Sequence, residues 1–166
     1  WFYDIKKGAG PFIDGAVHSY DFALYTFGKA KKVESCLTRF KKFSSPDTGV
    51  VSVEFESGNI LVLLWSWGLP EKCFTNGIND AIGPKGALIF EGIRDKEHKW
   101  FLLRKENGTE EKVGEMPIDT LGPAFTEQMD HFIDCIKNNK KPKVGYIEGR
   151  ESLKIGLQAL EQWRII

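Results

Sequence analysis

The sequence predicts an α+β fold: a predominantly antiparallel or mixed sheet with helices packed on one of its faces. Three observations support this class, namely a helical pattern near the N-terminus, a central block of strand patterns, and two helical patterns towards the C-terminus. Such segregated runs are typical of α+β domains, whereas doubly wound folds alternate strands and helices. A single layer of helices leaves the other face of the sheet available for oligomerisation.

The first helix is predicted over residues 11–27. Proline at position 11 suits a first helical turn, where its missing N–H is not needed, and Gly28 is a typical C-terminal stop. Apolar side chains recur along this segment at helical spacing and predict one buried stripe. The stripe consists of Ile13, Val17, Tyr20 and Leu24.

The clearest strand signal is a hairpin over residues 50–67. Apolar and polar residues alternate up to Phe55, a Ser-Gly-Asn turn follows, and an apolar run returns as the partner strand. Trp65 and Trp67 lie two residues apart and therefore face the same side of that strand. Further strands are predicted over residues 33–43, 87–91, 99–104 and 111–113, and a long loop over residues 68–82.

Two helices are predicted in the C-terminal third. The first covers residues 125–136 and ends before Pro142, which cannot continue a helix. Its apolar face is formed by Phe125, Met129, Phe132, Ile133 and Ile136. The second covers residues 148–163, and its periodicity predicts that Leu153, Leu157 and Leu160 point into the core.

The composition argues against several classes of function. The chain carries 23 basic and 23 acidic side chains, so it lacks the basic field that attracts nucleic acid or anionic membranes. Its longest apolar run, residues 60–65, is far shorter than a membrane span. Three widely spaced cysteines without a CxxC pair, Cys36, Cys73 and Cys135, predict free buried thiols in the reducing cytoplasm.

The domain organisation is predicted to be simple. A length of 166 residues without internal repeats favours a single domain over residues 1–166. The chain opens at Trp1 rather than at a methionine and reaches a glycine-rich segment within ten residues. We therefore expect it to be one part of a longer protein.

The most informative segment for function carries Asp14, His18 and Asp21 at positions i, i+4 and i+7. On a helix these side chains fall within roughly 60° of one another, and Tyr25 lies on the same stripe. A carboxylate one turn from an imidazole is a pair suited to proton transfer, because histidine titrates near neutral pH.

Spacing alone leaves three interpretations of Asp14 and His18 open. They could stabilise the helix as an i,i+4 pair, ligate a transition metal, or act as a catalytic acid–base pair. A metal site is the weakest of these, since no third histidine or cysteine is obvious. Gly8 and Gly10 do not complete a dinucleotide fingerprint, because Ile13 stands at the third glycine position. No cofactor-binding or metal-binding residue is predicted on this chain.

Residues 8–28 resemble the segment that opens the C-terminal domain of the GFO/IDH/MocA oxidoreductases, which include glucose–fructose oxidoreductase and inositol dehydrogenase. The hairpin ending in Ser66-Trp67, residues 82–88 and the C-terminal helical pair are similar to that family as well. Two departures are visible: Ala9 replaces a common glycine, and Gly15 replaces the larger residue that some sugar-active members carry after the aspartate.

The resemblance implies one half of a two-domain enzyme. An N-terminal Rossmann domain, absent from this chain, would bind NAD or NADP, and the present domain would supply substrate contacts and the oligomer interface. By position, Asp14 and His18 match the family's catalytic pair, with His18 as the acid–base and Asp14 orienting it, while Asp21 holds the helix. Phe74 and Asn76 lie in a loop that tends to reach the substrate pocket in this family.

The function implied by the resemblance is hydride transfer between a nicotinamide and a hydroxyl group of a sugar, polyol or cyclitol. The isolated chain is expected to be inactive and to bind no NAD. Its partners would be a small carbohydrate or polyol, its own Rossmann domain, and further copies in a homodimer or homotetramer built through the open sheet face. The alternative is a non-catalytic assembly module with the same fold.

Overall fold

The computed structural model describes residues 1–68, 81–90, 98–117 and 121–163. The described chain contains helices and antiparallel sheets in similar proportion, which confirms the predicted α+β class. In chain order the elements are α1 (Val17–Phe27), β1 (Ala30–Thr38), β2 (Thr48–Phe55), β3 (Ile60–Ser66), β4 (Ala81–Gly83), β5 (Gly86–Ile89), β6 (His98–Lys105), β7 (Glu110–Pro117), α2 (Leu121–Lys137) and α3 (Tyr146–Glu161).

The described residues fall into two compact units. The first contains residues 1–68 and 143–163, with a three-stranded sheet in the order β1-β2-β3. The second contains residues 81–90, 98–117 and 121–142, with a four-stranded sheet in the order β4-β5-β6-β7. The sequence predicted one sheet, whereas the described strands form two antiparallel ones. The expectation of a single domain stays a prediction.

The core of the first unit lies between one face of its sheet and the helices α1 and α3. Val51, Val53 and Phe55 of β2 are buried, and the register places Leu63 opposite Val51 and Leu61 opposite Val53 on the same face. Helical and turn residues complete the cluster, namely Phe12, Ala16, Tyr20, Ala23, Ile155 and Ala159. The helices therefore cover the side of the hairpin that carries Val51, Val53 and Phe55.

Helix α1 begins later than predicted, because residues 11–16 form hydrogen-bonded turns instead of regular helix. The Ala16 N–H donates to the Pro11 carbonyl at 2.7 Å, which is one residue further back than in an α-helix. The preceding Gly10 has a φ of +77°, and a Cβ there would lie 2.7 Å from the Ser45 hydroxyl oxygen. This tight contact, which only glycine permits, sets the path of the chain before the helix.

Helix α3 turns a different side to the core from the one predicted. Leu153 and Leu157 are 40% and 48% exposed, whereas Gly156 and Ala159 are buried. A Cβ on Gly156 would lie 2.8 Å from the carbonyl oxygen of Phe12, so α3 approaches the chain before α1 too closely for a side chain. Apolar periodicity predicts that the leucines face the core. The close packing of α3, however, leaves room only for small residues at this contact.

Strand β1 ends earlier than predicted, because a buried aspartate organises the chain that follows it. The carboxylate of Asp47 is fully buried and accepts hydrogen bonds from the N–H groups of Phe40 at 3.1 Å and Lys41 at 2.9 Å. The Asp47 N–H donates to the Thr38 carbonyl at 3.1 Å, and its own carbonyl accepts from the Trp67 N–H at 2.8 Å. These bonds tie the end of β1 to the end of the β2–β3 hairpin.

The described cysteines differ in burial. Cys135 in α2 is a buried free thiol, as predicted, whereas Cys36 in β1 is free but exposed, so the prediction of burial is wrong there. The alternation of β1 explains the exposure: Val33 and Leu37 face the core, which places Cys36 on the outer row. Cys73 lies outside the described residues.

The second unit differs from the prediction at two elements. Strand β4 occupies the end of the predicted loop, and α2 begins four residues earlier than the predicted residue 125. The predicted apolar face of α2 is exposed along its length, at Phe125, Met129, Phe132, Ile133 and Ile136. The buried Cys135 lies on another side of this helix, with its Sγ 3.6 Å from Nε2 of His131.

Replacing Gly156 with alanine should destabilise the protein, although alanine is the better helix former. The gain in helix propensity is roughly 1 kcal/mol. The new Cβ would lie 2.8 Å from both the Phe12 carbonyl oxygen and Cδ1 of Ile13, and overpacking of this kind costs about 1–3 kcal/mol. We therefore expect a lower free energy of unfolding for Gly156→Ala, measured by urea denaturation.

Gly149→Ala in the same helix is the matched control, because a Cβ there would meet no atom within 4 Å. This variant should raise the free energy of unfolding by about 0.5–1 kcal/mol. A Gly156→Ala variant as stable as Gly149→Ala would contradict the close packing of α3.

Candidate functional site

The turn before α1 and the first turn of α1 carry the predicted catalytic pair. Asp14 lies in the turn and is half-buried, whereas His18 lies in the helix and is exposed. The Asp14 N–H donates to the Gly10 carbonyl at 3.0 Å, and the Val17 N–H donates to the Ile13 carbonyl at 3.2 Å. These four-residue steps keep Asp14 and His18 one turn apart even though the regular helix begins between them.

The structure does not join the two side chains through a hydrogen bond. Within the described chain, neither the Asp14 carboxylate nor the His18 imidazole makes a hydrogen bond or an ion pair. The orienting role of Asp14 therefore stays a prediction. Both groups are nevertheless available to a ligand, because no other described residue occupies them.

Asp21 is the third polar residue of the stripe, and its environment differs from that of Asp14 and His18. Its carboxylate accepts a hydrogen bond from the hydroxyl of Ser152 in α3 at 2.9 Å. That hydroxyl is buried and also lies 3.0 Å from the carbonyl oxygen of Glu148. The contact joins α1 to α3 and supports the assignment of Asp21 to holding the helix.

Trp65 contacts the site from the sheet, at a position that sequence reasoning did not connect with Asp14. A Cβ on Gly15 would lie 3.0 Å from Cζ2 and 3.2 Å from Cη2 of the Trp65 indole. The ring is half-buried and meets Trp67 nearly at right angles, with the ring centroids 6.1 Å apart. The only sequence signal for this contact is the glycine that follows Asp14.

The glycines before the site serve close packing inside the chain rather than a nucleotide phosphate. A Cβ on Gly8 would lie 2.7 Å from the carbonyl oxygen of Phe2, and one on Gly10 would lie 2.8 Å from that of Pro46. No described strand precedes them, since β1 is the first strand in the chain. This glycine segment therefore differs from a dinucleotide fingerprint, in which open N–H groups lie between a strand and a helix.

Tyr20 lies on the buried face of α1. It is completely buried, and its hydroxyl has no hydrogen-bond partner among the described residues. Burial raises the pKa of this hydroxyl above its ordinary value, so the group is neutral at physiological pH. Its ring borders Gly156, which assigns it to packing rather than to proton transfer.

A cavity of about 720 Å³ opens at the C-terminal half of α1. The start of β1, α3 and the chain just before α3 complete its walls. Asp21 and Tyr25 from the stripe line it, whereas Asp14 and His18 do not. Its lysines are engaged in surface pairs such as Lys29 with Glu56 at 2.8 Å, and this carboxylate raises the pKa of Lys29. The predicted catalytic pair therefore does not line this cavity.

The two predicted substrate-loop residues lie outside the described chain. Phe74 and Asn76 are not among the described residues. Within the described ranges, no three histidine, cysteine or acidic side chains converge as a metal site would require. Of the helices in those ranges, none is long and apolar enough to span a bilayer.

Comparison with known proteins identifies the family. The profile of the GFO/IDH/MocA C-terminal domain matches residues 1–88, just over half of the chain. This stretch contains the Asp14–His18 segment and all of the first sheet. The chain belongs to this family. The resemblance proposed from the motifs is thereby confirmed.

Two curated relatives align along nearly the whole chain. The scyllo-inositol 2-dehydrogenase (NAD(+)) of Bacillus subtilis is 25% identical over 167 residues, covering 96% of this chain and 47% of that protein. The myo-inositol 2-dehydrogenase of Thermotoga maritima is 23% identical over 168 residues, covering 93% and 47%. The GFO/IDH/MocA domain thus spans about half the length of the curated relatives it matches.

The fold recurs in solved oxidoreductases. Biliverdin reductase of Synechocystis sp. PCC 6803, solved with biliverdin and NADP+, superposes with a TM-score of 0.73 over 97% of this chain and 49% of that one. Because the two sequences are only 17% identical, this likeness shows the shared fold alone. The fold thus occurs in an oxidoreductase whose ligand is not a carbohydrate.

Removing the hydroxyl of Ser152 should weaken the hold of α3 on α1. A hydrogen bond to a charged group contributes about 1.5–3 kcal/mol to stability. The contribution is smaller at Asp21, because this residue is half-buried and water can replace the lost donor. We expect a coupling of about 1 kcal/mol in a double-mutant cycle of Ser152→Ala and Asp21→Asn, measured by urea denaturation. Strictly additive effects of the two substitutions would show that this contact does not stabilise the helix pair.

Proposed function

We propose that this chain is the substrate-binding half of an NAD(P)-dependent oxidoreductase acting on a hydroxyl group of a cyclitol, sugar or related polyol. The observation that carries the proposal is the position of the Asp14–His18 segment inside the matched residues 1–88. The two inositol dehydrogenases that align along the chain support the substrate class. The cofactor would be bound by another part of the full-length protein, corresponding to the half of these relatives that the alignments do not cover.

His18 is the proposed acid–base group. Oxidation of a carbinol releases its hydroxyl proton, and an exposed imidazole without a partner in the described chain can accept that proton at a ring nitrogen. The carboxylate of Asp14 lies one turn away along the same segment. The hydride chemistry belongs to the nicotinamide, whose site the described residues do not form.

In the full-length protein, His18→Ala should lower turnover of a polyol substrate by at least about a hundredfold, because positioned acid–base groups contribute roughly 10²–10⁴ in rate. The affinity for NAD, measured by calorimetry, should barely change. His131→Ala is the matched control, since this second histidine lies in the other unit and should leave turnover normal. Near-normal turnover of His18→Ala would remove His18 from the mechanism.

The outer face of the first sheet is the proposed oligomer interface. The register aligns Leu64 with Val50 and Cys36 in one outward row, and Val62 occupies the next row. Leu64 and Val62 are 75% and 67% exposed, an unusual degree for neighbouring large apolar residues of a sheet. Contiguous apolar surface of this kind marks an interaction site, and a second copy would present the same patch in a two-fold dimer.

A charge on this face should disrupt self-association. The double variant Val62→Lys/Leu64→Lys should sediment as a monomer in analytical ultracentrifugation under conditions where the parent full-length protein is a dimer or tetramer, because unpaired lysines would be buried in the interface. Phe40→Lys is the control, since Phe40 is 62% exposed but lies in the loop after β1. An unchanged mass for the double variant would exclude this face as the interface.

A further inference from the structure

We propose that the indole of Trp65 forms the wall of the substrate site beside Asp14 and stacks on the ring face of a cyclic polyol. The inference rests on the proposed function and deepens it, because it names the shape of substrate that the site accepts. That shape is a ring whose hydroxyls are mainly equatorial, so that its faces present C–H bonds.

The contact between Trp65 and Gly15 places the indole next to Asp14. Two carbons of its six-membered ring, Cζ2 and Cη2, lie within 3.2 Å of the position that a Gly15 Cβ would take. Gly15 follows Asp14 directly in the chain, and His18 follows three residues later on the same segment. The indole therefore packs against the stretch of chain that carries both polar groups.

Trp65 packs against the core of the first unit but is only half-buried, so part of the residue remains accessible. Its cross-strand neighbour on β2 is Gly49, which has no side chain to cover the indole. Trp67 meets the ring at 87°, and this near-perpendicular contact fixes the plane of the indole. The ring is therefore held in one orientation without being enclosed, as a preformed stacking surface requires.

The chemistry of this combination favours a cyclic polyol. Binding pockets for small molecules pair an apolar or aromatic wall with a few polar groups that fix the orientation. The indole offers a flat apolar surface to axial C–H bonds, while Asp14 and His18 offer an acceptor and a titratable group to hydroxyls. An acyclic polyol has no flat C–H face, so it would gain little from the wall.

The test uses the full-length protein with NAD and compares scyllo-inositol, myo-inositol and D-glucose with the acyclic D-glucitol. For whichever cyclic probe the parent protein oxidises, Trp65→Ala should raise KM by about tenfold or more. A change of this size is expected when an aromatic stacking contact and the apolar surface that it buries are lost. The kcat of this variant should change little, because the contact is the same in the ground state and the transition state. Trp65→Phe should be intermediate, and Trp1→Ala, a change of a 74% exposed indole, should match the parent.

Gly15→Ala provides a second route to the same site. Its Cβ would displace the Trp65 ring without removing it, so this variant should also raise KM. Should Trp65→Ala fail to fold in urea denaturation, Gly15→Ala and Trp65→Phe carry the test. An unchanged KM in the folded Trp65 variants, or a parent protein that prefers D-glucitol, would overturn the inference about Trp65. If turnover still depended on His18 in that case, the proposed function would remain supported. A parent protein that oxidises none of the four probes would instead overturn the proposed polyol chemistry, and the inference with it.

Discussion

The position of the candidate site depends on the close contact between α3 and the chain around α1 at Gly156. No side chain fits between the two, since a Cβ at this position would meet both the Phe12 carbonyl and Ile13. One turn earlier on α3, the buried hydroxyl of Ser152 bonds the carboxylate of Asp21. Two small residues of α3 thus contact α1 and the turn before it at two separate points. These contacts restrict shifts and rotations of the helix that carries His18.

The segment with Asp14 is restrained from the other side by the sheet and its loops. Trp65 packs against Gly15, where a Cβ would fit only if the ring shifted, and Ser45 packs against Gly10 at a distance that excludes a Cβ. Directly before Gly10, Ala9 has a φ of +55°, a conformation that costs a non-glycine residue roughly 1–2 kcal/mol. The chain keeps this backbone shape despite the cost of the side chain. Such a restrained segment suits groups that must meet a substrate in a defined geometry.

The sequence predicts the local elements well and the tertiary contacts poorly, for identifiable reasons. The β2–β3 hairpin follows from alternation and a turn, both of which are local. The inward side of α3 does not follow from local sequence. An apolar pattern places Leu153 in the core rather than Gly156, whereas the close approach of another chain segment buries the glycine and leaves the leucine exposed. The i,i+4 spacing of Asp14 and His18 similarly predicts one shared stripe. It does not reveal Trp65, which lies fifty residues further along the chain and meets Gly15 only after the sheet has formed.

The fold alone does not determine the ligand, since inositol dehydrogenases align with this chain and a biliverdin reductase shares its fold. The choice must reside in the side chains that the shared scaffold presents. A proton-accepting imidazole and a carboxylate select for a hydroxyl, and they would do so equally on a linear or a cyclic molecule. An aromatic wall selects for a flat face, and it would do so equally for a polyol or a pigment. The proposed site of Asp14, His18 and Trp65 combines the two, and this combination would favour a ring that carries hydroxyl groups.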